Sequence, residues 1–228
     1  CSLIYYPYRA VLPKDMPYAG QQHVYTEENS LEQKNRQKSS PRVLTLYRTH
    51  ELRENISSVL GQNDTSYLAY SPSSPRDICE LSVKQAPDII LLETDTEDNG
   101  LSVIPTGRQL RLHTCAQLLL VSRSQDGTAV IQATTQTFAS GYIFPGQMPY
   151  LHDFIRDTWL GDTPQKILIR ELILSSLTQA ERKVLEILLG APNDLLSSPK
   201  TIANQKTSIF HKLGLKNFQE VRHIFRNY

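Results

Sequence analysis

The sequence predicts an α/β protein: a five-stranded parallel, doubly wound sheet followed by a small all-α domain. From residue 42 to residue 160, short apolar runs alternate with segments whose apolar residues have helical spacing, and this alternation predicts βαβ units. The apolar runs are nearly continuous, as expected for strands that are covered on both faces. After residue 177 only helical spacing is found, which predicts a separate helical domain.

Five strands and five helices are predicted in the first of these regions. The strands are the apolar runs at 42–47, 66–71, 88–93, 116–122 and 141–144. The helices are the segments at 51–61, 74–85, 103–114, 126–140 and 148–161. Gly61 is a suitable end for the first helix, whereas Pro105 and Gly107 weaken the start of the third.

The third predicted strand, DIILLE, ends in the carboxylate of Glu93, and an acidic loop, TDTEDNG, follows it. A carboxylate at the end of a strand can bind a metal ion or accept a phosphoryl group. Function in parallel sheets is concentrated at the carboxyl ends of the strands. The residues that end or follow other strands are therefore expected near Glu93: Tyr47, Arg48, Ser122 and Pro145.

Three helices are predicted in the C-terminal region. Thr178 and Glu181 have the spacing of a capping box at the start of the segment LTQAERKVLEILL. A second helix begins at Ser198, which precedes a proline, and ends at Gly214. Residues 217–225 are predicted to form a short final helix.

Four regions are predicted along the chain. Residues 1–41 hold four prolines and no lasting period, and they are predicted to form an extended arm whose tyrosine-rich first half contacts a partner or the protein's own domains. Residues 42–160 form the α/β domain, 161–176 a linker and 177–228 the helical domain.

Composition favours a globular protein of 228 residues without a membrane span, since no run reaches the roughly 18–20 apolar residues required. The three cysteines are too few and too scattered for a disulfide framework or a zinc site.

Residues 42–160 carry a net charge of −4 and residues 177–228 a net charge of +4. Any polyanion is therefore expected to meet the C-terminal region.

The chain begins with Cys1, which is compatible with a processed or a lipid-modified N-terminus. Two locations stay open: the bacterial cytoplasm, or the plastid stroma after loss of a transit peptide.

Residues 42–160 resemble the receiver domain of bacterial response regulators, through the order of the elements and the runs RVLTLY, APDIILLE, QLLLVS and ASGYIF. Receivers hold Mg²⁺ with an acid pair and an acceptor aspartate, and hold the phosphoryl oxygens with a hydroxyl and a lysine. Here Tyr47 and Arg48 replace the acid pair, Glu93 the acceptor and Pro145 the lysine, whereas Ser122 retains the hydroxyl. The resemblance implies a pseudo-receiver without phosphoryl transfer or metal, in which Glu93 is a fixed charge that pairs with Arg48 or is solvated.

Residues 177–228 resemble the LuxR-type helix-turn-helix domain of the NarL/FixJ class, through LTQAERKVL and KTIANQKTSIFHKLGLKN. That family lays its second motif helix in the major groove of DNA. The resemblance implies a DNA-binding set of lysines and short polar side chains. They are Lys200, Thr201, Asn204, Gln205, Lys206 and Lys212.

The sequence departs from this second family in two ways. Ala203 and Gln205 stand where the family often has lysine and histidine. The connection at 191–198 is several residues shorter than in the family. The helix that braces the recognition helix is therefore predicted to be cut short.

Two functions remain open. The first is a DNA-binding transcriptional regulator that does not use aspartyl phosphorylation and that dimerises or binds a protein through its pseudo-receiver. The second is a structural or adaptor subunit that is derived from such a regulator and has lost DNA binding. An enzyme is not expected, because the sequence shows no nucleophile–base pair, phosphate loop, cofactor motif or metal cluster.

Overall fold

The protein is described by a computed structural model. The structure describes residues 40–61, 67–71, 75–94, 103–124, 126–192 and 198–226. All but the last two residues of the predicted arm lie outside these ranges.

The centre of the fold is a five-stranded parallel sheet with strand order β2-β1-β3-β4-β5. The strands are β1 (Val43–Leu46), β2 (Tyr67–Tyr70), β3 (Ile89–Glu93), β4 (Gln117–Val121) and β5 (Gly141–Ile143). This is the flavodoxin-like order that receiver domains share, and the order reverses between β1 and β3. The predicted fold class is therefore confirmed, and Glu93 ends β3 beside this switch point.

Helices cover both faces of the sheet. They are α1 (His50–Gly61), α2 (Pro75–Gln85), α3 (Val103–His113), α4 (Gly127–Gln136) and α5 (Leu151–Leu160), with a 3-10 turn at Pro145–Tyr150 before α5. Alternate strand residues separate two apolar clusters, so that Val43 and Leu91 pack with α1 and α5 while Leu44 and Ile90 pack with α3. Burial on both faces explains the continuous apolar runs.

Residues 161–176, predicted as a linker, contain a further helix, α6 (Pro164–Leu174). Thr163 caps it, because the Thr163 hydroxyl accepts a hydrogen bond from the Lys166 N–H at 3.1 Å. The Gln165 side chain accepts from the Tyr142 N–H at 2.9 Å and donates to the Tyr142 carbonyl at 3.2 Å. Helix α6 thereby satisfies backbone groups of the edge strand β5, which would otherwise be open to pairing with another strand.

The C-terminal region forms the three predicted helices: α7 (Gln179–Leu188), α8 (Pro199–Leu213) and α9 (Phe218–Phe225). The capping box is formed, with Glu181 accepting from the Thr178 N–H at 2.7 Å and donating its own N–H to the Thr178 hydroxyl at 3.3 Å. Gly214 ends α8 in the left-handed conformation, at φ 61°. Residues 193–197, on which the predicted shortening depends, lie outside the described part of the chain.

One apolar core joins the C-terminal helices to the rest of the protein. Phe138, which follows α4, and Ile169 and Ile173 of α6 pack with residues of α7, α8 and α9. Leu112 of α3 packs against the same cluster. The core of the C-terminal helices thus includes residues that precede residue 177 in the chain. Within the described ranges, none of the helices has the length and apolar character needed to cross a membrane.

Candidate functional site

The first candidate site lies at the carboxyl edge of the sheet, around Glu93. The Glu93 side chain is buried, with 2% of the residue exposed. Its Oε2 accepts hydrogen bonds from the N–H of Arg48 at 2.6 Å and from the N–H of Thr49 at 2.9 Å. Its Oε1 accepts from the hydroxyl of Thr49 at 2.6 Å. The carboxylate therefore receives three short hydrogen bonds from the segment that starts α1.

Thr49 links this carboxylate to helix α1. Its carbonyl accepts the helical hydrogen bond of Arg53 at 3.3 Å, and its hydroxyl lies 3.4 Å from the N–H of Leu52. Thr49 thus caps α1 from the position directly before it, where a negative charge is favoured by the helix dipole. Glutamate is one methylene longer than aspartate, which gives the carboxylate the reach to bind these N–H groups.

Sequence reasoning missed two residues at this site, Thr49 and Arg123. The Nε of Arg123 lies 3.7 Å from Glu93 Oε1, and its Nη2 donates to Glu51 Oε2 at 2.9 Å and to the Thr49 hydroxyl at 3.3 Å. Arg123 follows Ser122 directly at the end of β4, and this adjacency is the signal that could have identified it. Sequence reasoning predicted a charge pair between Glu93 and Arg48; the Arg48 contact is a hydrogen bond from its backbone N–H, and the guanidinium beside Glu93 is that of Arg123.

The other receiver-like positions are placed around the same edge. Ser122 is buried, and its hydroxyl accepts from the Ser124 N–H at 3.2 Å. Tyr47 packs against the α1 side of the core, with the Arg53 guanidinium 5.7 Å from its ring centroid. Pro145 is exposed and begins the 3-10 turn. A proline has no amino group to hold a phosphoryl oxygen.

The described side chains at this edge are arranged to fix the start of α1 rather than to hold a metal ion. In the ranges that the structure describes, no group of three or more His, Cys, Asp or Glu residues is placed to hold a metal ion. The acidic loop at 95–100 lies outside those ranges. Both oxygens of Glu93 are already engaged by donors, and Arg123 adds a positive charge where a cation would have to bind.

The second candidate site is the solvent-exposed face of α8. Four residues at helical spacing, i, i+4, i+7 and i+11, form one exposed polar stripe along this helix. They are Lys200, Asn204, Thr207 and His211. We call these four residues the α8 stripe. The opposite face of α8 is apolar, with Ile209 and Leu213 buried in the core.

Only some of the predicted DNA-binding residues lie on this stripe. Lys200 and Asn204 belong to it, and Thr201 is exposed beside it. Gln205 and Lys206 are half-buried on opposite flanks, and Gln205 Oε1 is enclosed by protein without a hydrogen-bond partner. This placement does not favour Gln205 as a group that reads a base.

The stripe also contains two residues, Thr207 and His211, that sequence reasoning did not select. Extending the helical spacing from Lys200 by seven and eleven residues would have found them.

Lys212 is held in an ion pair. Its Nζ lies 2.7 Å from Glu181 Oε2, and the Ser208 hydroxyl donates to Glu181 Oε1 at 2.6 Å. These bonds from Lys212 and Ser208, with those of Thr178, lower the pKa of Glu181 from 4.5 to about 2, although burial opposes the shift. Glu181 therefore fixes α8 to the start of α7, and Lys212 contributes to that attachment.

Comparison with known proteins finds similarity to response regulators among solved structures. The RcsB response regulator of Salmonella typhimurium has 15% identity and a TM-score of 0.45, with 82% of this chain and 98% of that chain covered. The response regulator domain of Thermotoga maritima CheB has 18% identity and a TM-score of 0.45, with 54% and 99% covered. A LuxR-family DNA-binding response regulator of Staphylococcus aureus has 13% identity and a TM-score of 0.43, with 51% and 97% covered.

No protein-family profile matches the chain, and no curated protein matches it. The resemblance to response regulators that the sequence predicts is thus found again among solved structures. At these identities and TM-scores the similarities assign no activity to the chain.

Proposed function

We propose that this protein is a regulator-like DNA-binding protein that works without phosphoryl transfer. The observation that carries the proposal is the α8 stripe: one exposed, polar and partly basic helix face whose opposite face is buried in the core. A helix of this kind can enter the major groove, where Asn pairs with adenine edges and Lys with phosphates or guanine. The net charge of +4 on residues 177–228 supports binding of a polyanion.

The site around Glu93 supports the second half of the proposal. A receiver needs a carboxylate that is free to attack a phosphoryl donor and to share Mg²⁺. The Glu93 carboxylate is buried and accepts three hydrogen bonds from Arg48 and Thr49. Its role is to hold α1 onto the sheet.

Fluorescence anisotropy of the full chain with labelled mixed-sequence duplex DNA tests the proposal. We expect binding that weakens as salt increases, because each phosphate contact contributes a slope of about −0.9 in a plot of log K against log salt. A folded chain that shows no binding at low salt would reject DNA binding.

A second candidate function is that of an adaptor subunit, and the surface of α6 favours it. Ile167, Leu168 and Leu172 are exposed there, Leu168 by 64%. Exposed apolar side chains on one helix are typical of a surface that contacts another protein. Copurification of a stoichiometric partner that is lost in the Leu168→Glu variant would favour the adaptor, provided that the variant is folded.

A further inference from the structure

The guanidinium of Arg108 connects three parts of the fold. Arg108 belongs to α3, and its Nη1 donates to the carbonyl of Gln136 at the end of α4, at 3.1 Å. Its Nη2 donates to the carbonyl of Leu213 at 2.7 Å and also to the carbonyl of Gly214. A side chain of the receiver-like region thus binds the last carbonyls of α8, where a positive charge is favoured.

The ring of Phe138 packs against the Arg108 guanidinium. The backbone of Phe138 is in the left-handed region at φ 56°, although it carries a bulky side chain, and the residue is 1% exposed. The Arg108 guanidinium lies 4.8 Å from the centroid of its ring, and the ring meets that of Phe225 edge to face at 6.3 Å. A conformation that is unfavourable for phenylalanine is therefore stabilised by packing between α3, α4 and α9.

A second attachment lies at α9. His223 Nε2 is 3.0 Å from the carbonyls of Arg111 and Thr114, at the end of α3. Both partners are acceptors, so Nε2 carries the proton and donates. Together with the shared core, these contacts hold α8 and α9 against α3 and α4. We call the contacts of Arg108, Phe138 and His223 the joint.

The joint holds α8 by its carboxyl end and leaves the α8 stripe exposed. Arg108 binds the carbonyls of Leu213 and Gly214, whereas the stripe runs from Lys200 to His211 on the solvent side. We propose that Arg108 is a positioning residue that fixes the α8 stripe in the orientation that binds DNA, an inference that rests on the proposed function. The receiver-like region thereby presents the recognition helix and does not cover it.

This role predicts a specific change in DNA affinity and in its salt dependence. If the orientation that binds DNA were populated for only a tenth of the time, the apparent Kd would increase about tenfold. Arg108 would not itself contact phosphates, so its loss would leave the slope of log K against log salt unchanged. A residue that contacts DNA, such as Lys200, would change that slope by about 0.9.

The experiment compares the full-length chain with the Arg108→Ala, Arg108→Lys and Gly214→Ala variants. A Cβ on Gly214 would lie 3.0 Å from Arg108 Nη2 and would occupy a left-handed φ, so Gly214→Ala disturbs the same contact from the other side. Arg156→Ala is the matched control, because Arg156 forms surface ion pairs with Asp153 and Asp157 on α5. Amide hydrogen exchange of residues 210–215 and DNA titrations at several salt concentrations are measured for each chain.

We expect exchange at 210–215 to accelerate about tenfold or more in Arg108→Ala and Gly214→Ala. We expect DNA affinity to fall about tenfold with an unchanged salt slope, partial recovery in Arg108→Lys, and no change in Arg156→Ala. Unchanged exchange, unchanged affinity or an altered slope in folded Arg108→Ala would overturn the positioning role. Absence of DNA binding by the wild-type chain would instead reject the proposed function, and the exchange data would still report whether Arg108 holds α8.

Discussion

The hydroxyl of Thr49 donates a 2.6 Å hydrogen bond to the carboxylate of Glu93, 44 residues further along the chain. The N–H groups of Thr49 and Arg48 bind the same carboxylate. The residue at the phosphoacceptor position is therefore the anchor that fixes the start of α1 to the end of β3.

Loss of this anchor should destabilise the fold. In Glu93→Ala, two backbone N–H groups and the Thr49 hydroxyl lose their acceptor, and Arg123 loses a carboxylate neighbour. We expect the free energy of unfolding to decrease by roughly 2–4 kcal/mol in denaturant titrations. Glu54→Ala, which removes an exposed carboxylate of α1, should change it by less than about 0.5 kcal/mol. Equal stability of the two variants would contradict the anchoring role.

The engaged carboxylate should also be unreactive toward phosphoryl donors. We expect incubation with acetyl phosphate and Mg²⁺ near neutral pH to leave the intact mass of the protein unchanged. The reason is that both oxygens of Glu93 accept hydrogen bonds and that Arg123 lies beside them. Detection of a phosphoryl group on Glu93 by peptide mapping would refute the pseudo-receiver interpretation.

Stability at acidic pH should depend on Glu181. Its pKa is lowered from 4.5 to about 2 by Lys212, Ser208 and Thr178. A carboxyl whose pKa is lowered by folding stabilises the protein fully above its unfolded pKa, and this contribution is lost as the pH falls through the folded value. We therefore expect the Glu181 contribution to disappear between about pH 4.5 and pH 2.

The Glu181→Gln variant should show a smaller decrease in melting temperature over that pH range than the wild-type chain. Lys212→Met should likewise show a smaller decrease in melting temperature, because it removes the group that contributes most to lowering the pKa of Glu181. Parallel pH profiles for wild type and Glu181→Gln would show that the Glu181 network is not formed in solution.

The regular elements were largely predictable from the sequence, whereas the contacts that define the sites were not. Strands such as Ile89–Glu93 are continuous apolar runs, and the capping box of Thr178 and Glu181 is a local pattern. The linker prediction missed α6, although Thr163 followed by a proline was a start signal for a helix. The contacts of Glu93 with Thr49 and Arg123, and of Arg108 with Gly214, join residues that are far apart in the chain, so local periodicity carries no information about them.

The shared core predicts that the C-terminal helices do not fold alone. A fragment of residues 177–228 would lack Phe138, Ile169 and Ile173, all of which pack in the same cluster as α7, α8 and α9. We expect this fragment to show no cooperative thermal transition by circular dichroism, whereas residues 40–228 should unfold in one transition. A cooperative transition in the isolated fragment would contradict the shared core.

The salt dependence of DNA binding by the full chain and its Lys200→Ala variant tests whether α8 is the DNA-binding surface. Lys200 lies on the exposed stripe of α8, whereas Lys84 is an exposed lysine on α2 and provides a control with the same change in charge. We expect Lys200→Ala to weaken binding to all duplexes and to flatten the slope of log K against log salt by about 0.9. Lys84→Ala should leave affinity and slope unchanged. Absence of binding by the folded wild-type chain at low salt, or equal effects of the two substitutions, would contradict the proposal that α8 is the DNA-binding surface.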